Sequence, residues 1–147
     1  EWPRHIGHEA RSARLLKGLG ERLRVPIACQ ELADVVAREH GHIHGSAGLS
    51  PAATLRLLER CDAIRKPARF EDVLRVCEWE ARSPSGRASP SAPSLDRLRR
   101  ALRLALAVDT AEVAARAQAD GLSGPRVGER ILAARIAAID HGLGESG

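Results

Sequence analysis

Apolar residues recur along this chain at spacings of three and four, the period of an amphipathic helix, and β-branched runs are short. Ala13, Leu16, Leu19 and Leu23, with Leu15 beside them, predict a first helix over residues 8–24 that Pro26 stops. Cys29, Leu32, Ala33 and Val36 share one face of a second, from residue 27 to 39 or 40. Gly41 and Gly45 then mark a loop holding His40, His42 and His44. Ser50-Pro51 pairs an N-cap hydroxyl with a proline at the first helical position, and opens a helix with Leu55, Leu58 and Asp62 on one side. Pro67 breaks the chain. Phe70, Val73, Leu74 and Cys77 then give a fourth helix ending near Arg82.

The segment from Ser83 to Ser94 interrupts this periodicity. Three prolines, one glycine and five serines in twelve residues cannot form a packed core, so the segment reads as an exposed linker dividing residues 1–82 from 95–147. Beyond it, Leu95, Leu98, Leu102 and Ala105 predict a helix with Arg97, Arg99, Arg100 and Arg103 on its other side. A shorter Ala-rich helix follows Asp109-Thr110 and ends at Gly121. Gly124-Pro125 opens a last one burying Val127, Ile131, Ala134 and Ile136, and the closing GLGESG is expected to fray. The fold class is all-α: a helical bundle followed by a small helical tail.

Composition agrees. Of 147 residues, 44% are hydrophobic but only 2% aromatic, so the core must be built from Leu, Ala, Val and Ile. The formal charge is +4, and all the basic residues but Lys17 and Lys66 are arginine. Arginine forks bind phosphate in a bidentate way, which makes nucleic acid a plausible partner; a GC-rich coding sequence is the bland alternative. The cysteines, Cys29, Cys61 and Cys77, lack CxxC spacing and fall in apolar helical patterns, so they read as buried free thiols of a reducing compartment. No stretch approaches the roughly 18 apolar residues of a membrane helix, and no signal peptide is recognisable, so a cytoplasmic location is expected. The first residue is Glu1 and not Met, which suits a fragment or processed product.

Chemistry concentrates in the histidines. His5 and His8 precede the first helix, His40, His42 and His44 follow the second, and Asp62 is placed late in the third. Imidazole and carboxylate together suit a divalent metal such as Zn, Mn, Ni or Mg. An HxHxH string in a glycine-rich loop can equally be solvated, whereas a carboxylate on an apolar face needs a metal or an arginine. P-loop, GxGxxG, nucleophile-elbow, CxxC and HExxH motifs are all missing.

These strings resemble a known family. Trp2-Pro-Arg-His-Ile-Gly-His-Glu9, Arg22-Leu-Arg-Val-Pro26, Val36-Ala-Arg-Glu-His40 with Ile43-His44, and Leu57-Leu-Glu-Arg-Cys-Asp-Ala-Ile-Arg-Lys-Pro67 are similar to the HD domain of bacterial multifunctional CCA proteins, the CCA-adding tRNA nucleotidyltransferases. Gly121-Leu-Ser-Gly-Pro-Arg-Val-Gly128 and Ala134-Arg-Ile-Ala-Ala-Ile139 resemble that family's C-terminal segment. The blocks cover nearly the whole chain in order. Three departures stand out: Gly41 where relatives often carry Asp, Glu80 in an Asp position, and the Ser/Pro segment in place of an Arg-Thr-Gly loop.

The resemblance implies an incomplete HD-type bundle over 1–82 and a tRNA-facing tail over 95–147, cut from the nucleotidyltransferase head. It implies a divalent metal (Mg, Mn or Ni) in the parent enzyme, with Asp62, His8 and His40 as this chain's metal ligands. It also implies tRNA as a partner, met by Arg99, Arg100, Arg103, Arg126 and Arg130. The HD motif's naming His-Asp pair and the polymerase carboxylates have no counterpart here, so the chain either completes a phosphohydrolase within its parent or serves as a non-catalytic helical module that at most binds RNA backbone. The uncovered apolar face of the first helix (Leu15, Leu16, Leu19) predicts self-association or marginal stability of the isolated chain, and the resemblance implies the parent's nucleotidyltransferase head as a partner.

Overall fold

A computed structural model describes residues 8–81 and 92–144, with the side chains of His8, Glu9, Ala81 and Ala92 left undescribed. Among these residues the fold is all-α: α1 (His8–Arg22), α2 (Ile27–His44), a 3-10 turn (Ser46–Gly48), α3 (Pro51–Arg60), α4 (Pro67–Ala81), α5 (Ala92–Ala107), α6 (Thr110–Ala119) and α7 (Pro125–Gly144). The predicted start signals are made. Ser50 Oγ accepts from Ala53 N at 3.3 Å, and Asp109 caps α6 by accepting from Ala111 N and Glu112 N, both at 3.0 Å.

One core joins α2, α3, α4, α5 and α7. Ile43, Leu55, Leu57, Leu58, Phe70, Val73, Leu74, Leu95, Leu98 and Ile139 all lie in it, at 1% exposure or less. It therefore draws on both sides of the Ser/Pro segment. Residues 92–94, assigned to the linker from sequence, already belong to α5, and Ser94 is buried there. Outside this core, α1 packs on α2 and α6 on α7. The expected fourth-helix end at Arg82 lies outside the described residues.

Several sequence expectations need correction. The predicted loop at Gly41–Gly45 is instead the last turns of α2, which runs to His44. A mid-helix glycine costs about 1 kcal/mol, but Ile43, fully buried, returns about 1.5–3 kcal/mol, so the helix continues. Cys29 is exposed, unlike Cys61 and Cys77, because it lies on the open furrow between α1 and α2. In α7, Val127, Ile131, Ala134 and Ile136 are only half-buried, and Ile139 takes the core position. The chain does not fray at Gly142, which is buried against Leu104: a Cβ there would stand 2.5 Å from Leu104 Cδ2.

Candidate functional site

The extension of α2 sorts its histidines. His40 and His44, one turn apart, meet edge to face at 6.1 Å between ring centroids. His40 Nδ1 donates to Val36 O at 3.0 Å, and His44 Nε2 donates to Glu80 Oε2 on α4 at 3.2 Å. His42 points to the other side, where its Nδ1 lies 3.2 Å from Glu39 Oε2. What reads as one triplet in sequence is two separate sites in space.

Asp62 is not in a helix. α3 closes at Cys61 with Ala63 N donating to Leu58 O and Asp62 N to Glu59 O, the paired bonds of a Schellman cap. That geometry puts Asp62 at φ +53°, off the apolar face on which sequence placed it. Its carboxylate accepts from Arg69 at 3.3 Å and pairs with Arg65 at 3.2 Å. Arg69, largely buried, also donates to Cys61 O and Glu31. Lys66 donates to Glu31 as well, and this bond, ahead of the charge itself, holds the Glu31 carboxyl below its ordinary 4.5.

Of the three side chains expected to hold a metal, Asp62 and His40 have other partners among the described residues. Among the described residues no three His, Cys, Asp or Glu side chains are grouped as a metal would require. Asp62 is committed to arginine, His40 has its own bonds, and the His8 side chain lies outside the described set.

The five arginines read as RNA ligands separate just as clearly. Arg99 is turned inward, only 22% exposed, and donates to Glu71 and Glu78 of α4 and to Asp96 at 2.8–3.2 Å. Those bonds, Glu71 first, drive its pKa upward, and they leave no fork for phosphate. Arg100 is half-buried and already engaged, and Arg130 pairs loosely with Asp120 at 3.3 Å. Arg103 and Arg126 are exposed.

The apolar face of α1 that sequence left without cover opens on a furrow. This furrow of about 440 Å³ between α1 and α2 is lined by Leu16, Leu19, Leu23, Val25, Ile27 and Cys29. It continues through a second hollow of about 330 Å³, which shares Leu16 and Cys29 with it, to a third beside His40, Trp79 and Glu80. Leu23, Ile27 and Trp79, which line it, are 63–75% exposed, and Leu15 of α1 is 69% exposed. The leucines were visible in sequence as an apolar stripe without a partner; Trp79 had no periodic signal to mark it.

Fold and surfaces together define an arginine-rich helical module with one uncovered apolar side. Comparison with known proteins names its kin. The chain is 60% identical over 137 residues to the Multifunctional CCA protein of Acidovorax sp. (strain JS42), covering 93% of this chain and 32% of that protein. It is 62% identical over 139 residues to that of Paracidovorax citrulli, and 51% over 142 residues to that of Cupriavidus necator. The chain is a homologue of one region of proteins named Multifunctional CCA protein, and it spans about a third of the length of these curated relatives. No family model and no solved structure matches it, and among the described residues no helix is long and apolar enough to cross a membrane.

Proposed function

We propose that this chain is the C-terminal, HD-derived helical region of a bacterial tRNA CCA nucleotidyltransferase, and that it contributes contacts to the rest of that polypeptide and to the tRNA backbone. The observation that carries this reading is identity of 51–62% over 93–97% of the chain with proteins named for CCA. The apolar furrow supports it: a face with Leu16, Leu19, Leu23 and Ile27 uncovered suits the remaining two-thirds of such a protein, including its nucleotidyltransferase head.

RNA contact falls to Arg103 and Arg126, with Arg100 and Arg130 beside them, and not to Arg99. With so few aromatic side chains, recognition rests on phosphates and is steeply salt-dependent and indifferent to sequence. The metal-dependent phosphohydrolase activity belongs to the parent, because Asp62 and His40 are otherwise engaged here.

Binding of tRNA at two salt concentrations tests the reading. Arg103→Glu with Arg126→Glu should weaken binding and flatten the log–log salt slope by about one unit or slightly less per lost phosphate contact. Equal affinity and slope in both proteins would remove this face from the mechanism. The chain alone, given Mn²⁺ or Ni²⁺, should hydrolyse a 2′,3′-cyclic phosphate no faster than buffer; hydrolysis abolished by Asp62→Asn would return the site to this chain.

A further inference from the structure

We infer that a cleft between the end of α2 and the exposed face of α3 binds a phosphate group of the RNA backbone, through Arg56, Arg60 and His42. This site is separate from the arginines of α5 and α7, and it rests on the tRNA reading above.

The cleft measures about 350 Å³ and is lined by His42, Leu49, Ala53, Arg56 and Arg60, with Gly41 and Gly45 on the α2 side. The volume exceeds a single phosphate and admits a phosphate with its sugar. The glycines carry no side chain into this space. Ala53, Arg56 and Arg60 are spaced by three and four, so they stand on one stripe of α3.

Glu39 organises the floor. Only 8% exposed, it accepts Arg60 Nε through both oxygens, at 3.1 and 3.0 Å, and lies 3.2 Å from His42 Nδ1. These contacts fix the guanidinium and the imidazole while using one nitrogen of each. The two Nη groups of Arg60, Nε2 of His42 and the guanidinium of Arg56 have no partner among the described residues, and Arg60 and His42 are 46% and 63% exposed. Two arginines against one carboxylate leave a net charge of +1, which an entering phosphodiester neutralises. Arg56 and Arg60, like charges one turn apart, repel each other until an anion lies between them. Arg97 braces the wall by donating to Leu49 O at 2.8 Å and to Thr54 Oγ1 at 3.3 Å. No Phe, Tyr or Trp lines the cleft, and the one ring there, His42, is tied by Nδ1 to Glu39, so the backbone and not a base is the ligand.

The test uses the whole chain and two probes. Arg56→Ala removes no internal bond and should fold as the wild type does. It should weaken tRNA binding several-fold and lower the salt slope by about one unit, and Arg60→Ala should add to both effects. Unchanged affinity and slope in Arg56→Ala, while the wild type binds tRNA and Arg103→Glu with Arg126→Glu weakens it, would overturn this site and leave the tail reading intact. Titration with inorganic phosphate reads the cleft without RNA, through the His42 ring and Arg60 Nε resonances. Movement of both, lost in Arg56→Ala, is expected; no movement overturns the site. Movement in a protein that never binds tRNA would overturn the assignment to RNA and take the tail reading with it.

Discussion

At the scale of single residues, three helices end in the same way and with different side chains. Arg24, Asp62 and Gly121 take φ of +52°, +53° and +78°, each just past a helix whose last carbonyls are closed by paired backbone bonds. Only Gly121 is the residue that geometry prefers; a left-handed L-residue costs about 1–2 kcal/mol. Arg24 is exposed and has no partner among the described residues, so Arg24→Gly should stabilise the chain by about 0.5–1 kcal/mol, the gain reduced by glycine's freedom in the unfolded state. An unchanged or lower urea midpoint would contradict this. Asp62→Gly should show no such gain, because it also removes the acceptor of Arg65 and Arg69. The thiols separate as sharply. Burial pushes Cys61 and Cys77 up to about 12, while Cys29 faces the furrow. A thiol reagent should therefore modify one cysteine in the native chain and three after denaturation; rapid reaction of two or three in the native state would show an open core.

Among the elements, the joint between α4 and α5 rests on Arg99. It gathers Glu71, Glu78 and Asp96, tying together helices that lie on either side of the Ser/Pro segment. Arg99→Leu would leave two half-buried glutamates facing each other with no cation between them. It should cost about 1–3 kcal/mol of stability and leave tRNA affinity at its wild-type value. The reverse result, weaker tRNA binding with an unchanged melting temperature, would return Arg99 to the RNA face. Sequence could not make this distinction. Arg99 and Arg103 share a stripe of one helix, and only the position of α4 shows that the first is covered.

For the whole molecule, the uneven feature is cover. The core of α2, α3, α4, α5 and α7 is closed, whereas α1 rests mainly on α2 and leaves Leu15, Leu19, Leu23 and Ile27 at 46–75% exposure. An apolar face of this kind seeks a partner, and in a solution of the isolated chain the partner at hand is another copy. The chain should associate as its concentration rises, and Leu19→Glu with Leu23→Glu should shift it to monomer without lowering its helix content. Sedimentation showing a monomer throughout, before any substitution, would mean the furrow closes on itself.

What sequence determined by itself is what local physics controls. Apolar spacing of three and four marked every α-helix but the Ala-rich α6, Ser50-Pro51 and Asp109-Thr110 set two starting points, and the near absence of aromatic residues required an aliphatic core. The strings around Trp2, Asp62 and Gly121 carried the family likeness, because they are contiguous. Tertiary structure alone decided the rest. Whether Gly41 interrupts α2 depended on Ile43 finding the core, and that in turn put His42 beside Glu39 and Arg60 but His44 beside Glu80. Asp62 leaves the apolar face and meets Arg69 because α3 closes one residue before it. Periodicity reports which face of a helix is apolar, but the fate of a charged side chain is settled by the neighbouring helix, whose residues lie tens of positions away along the chain.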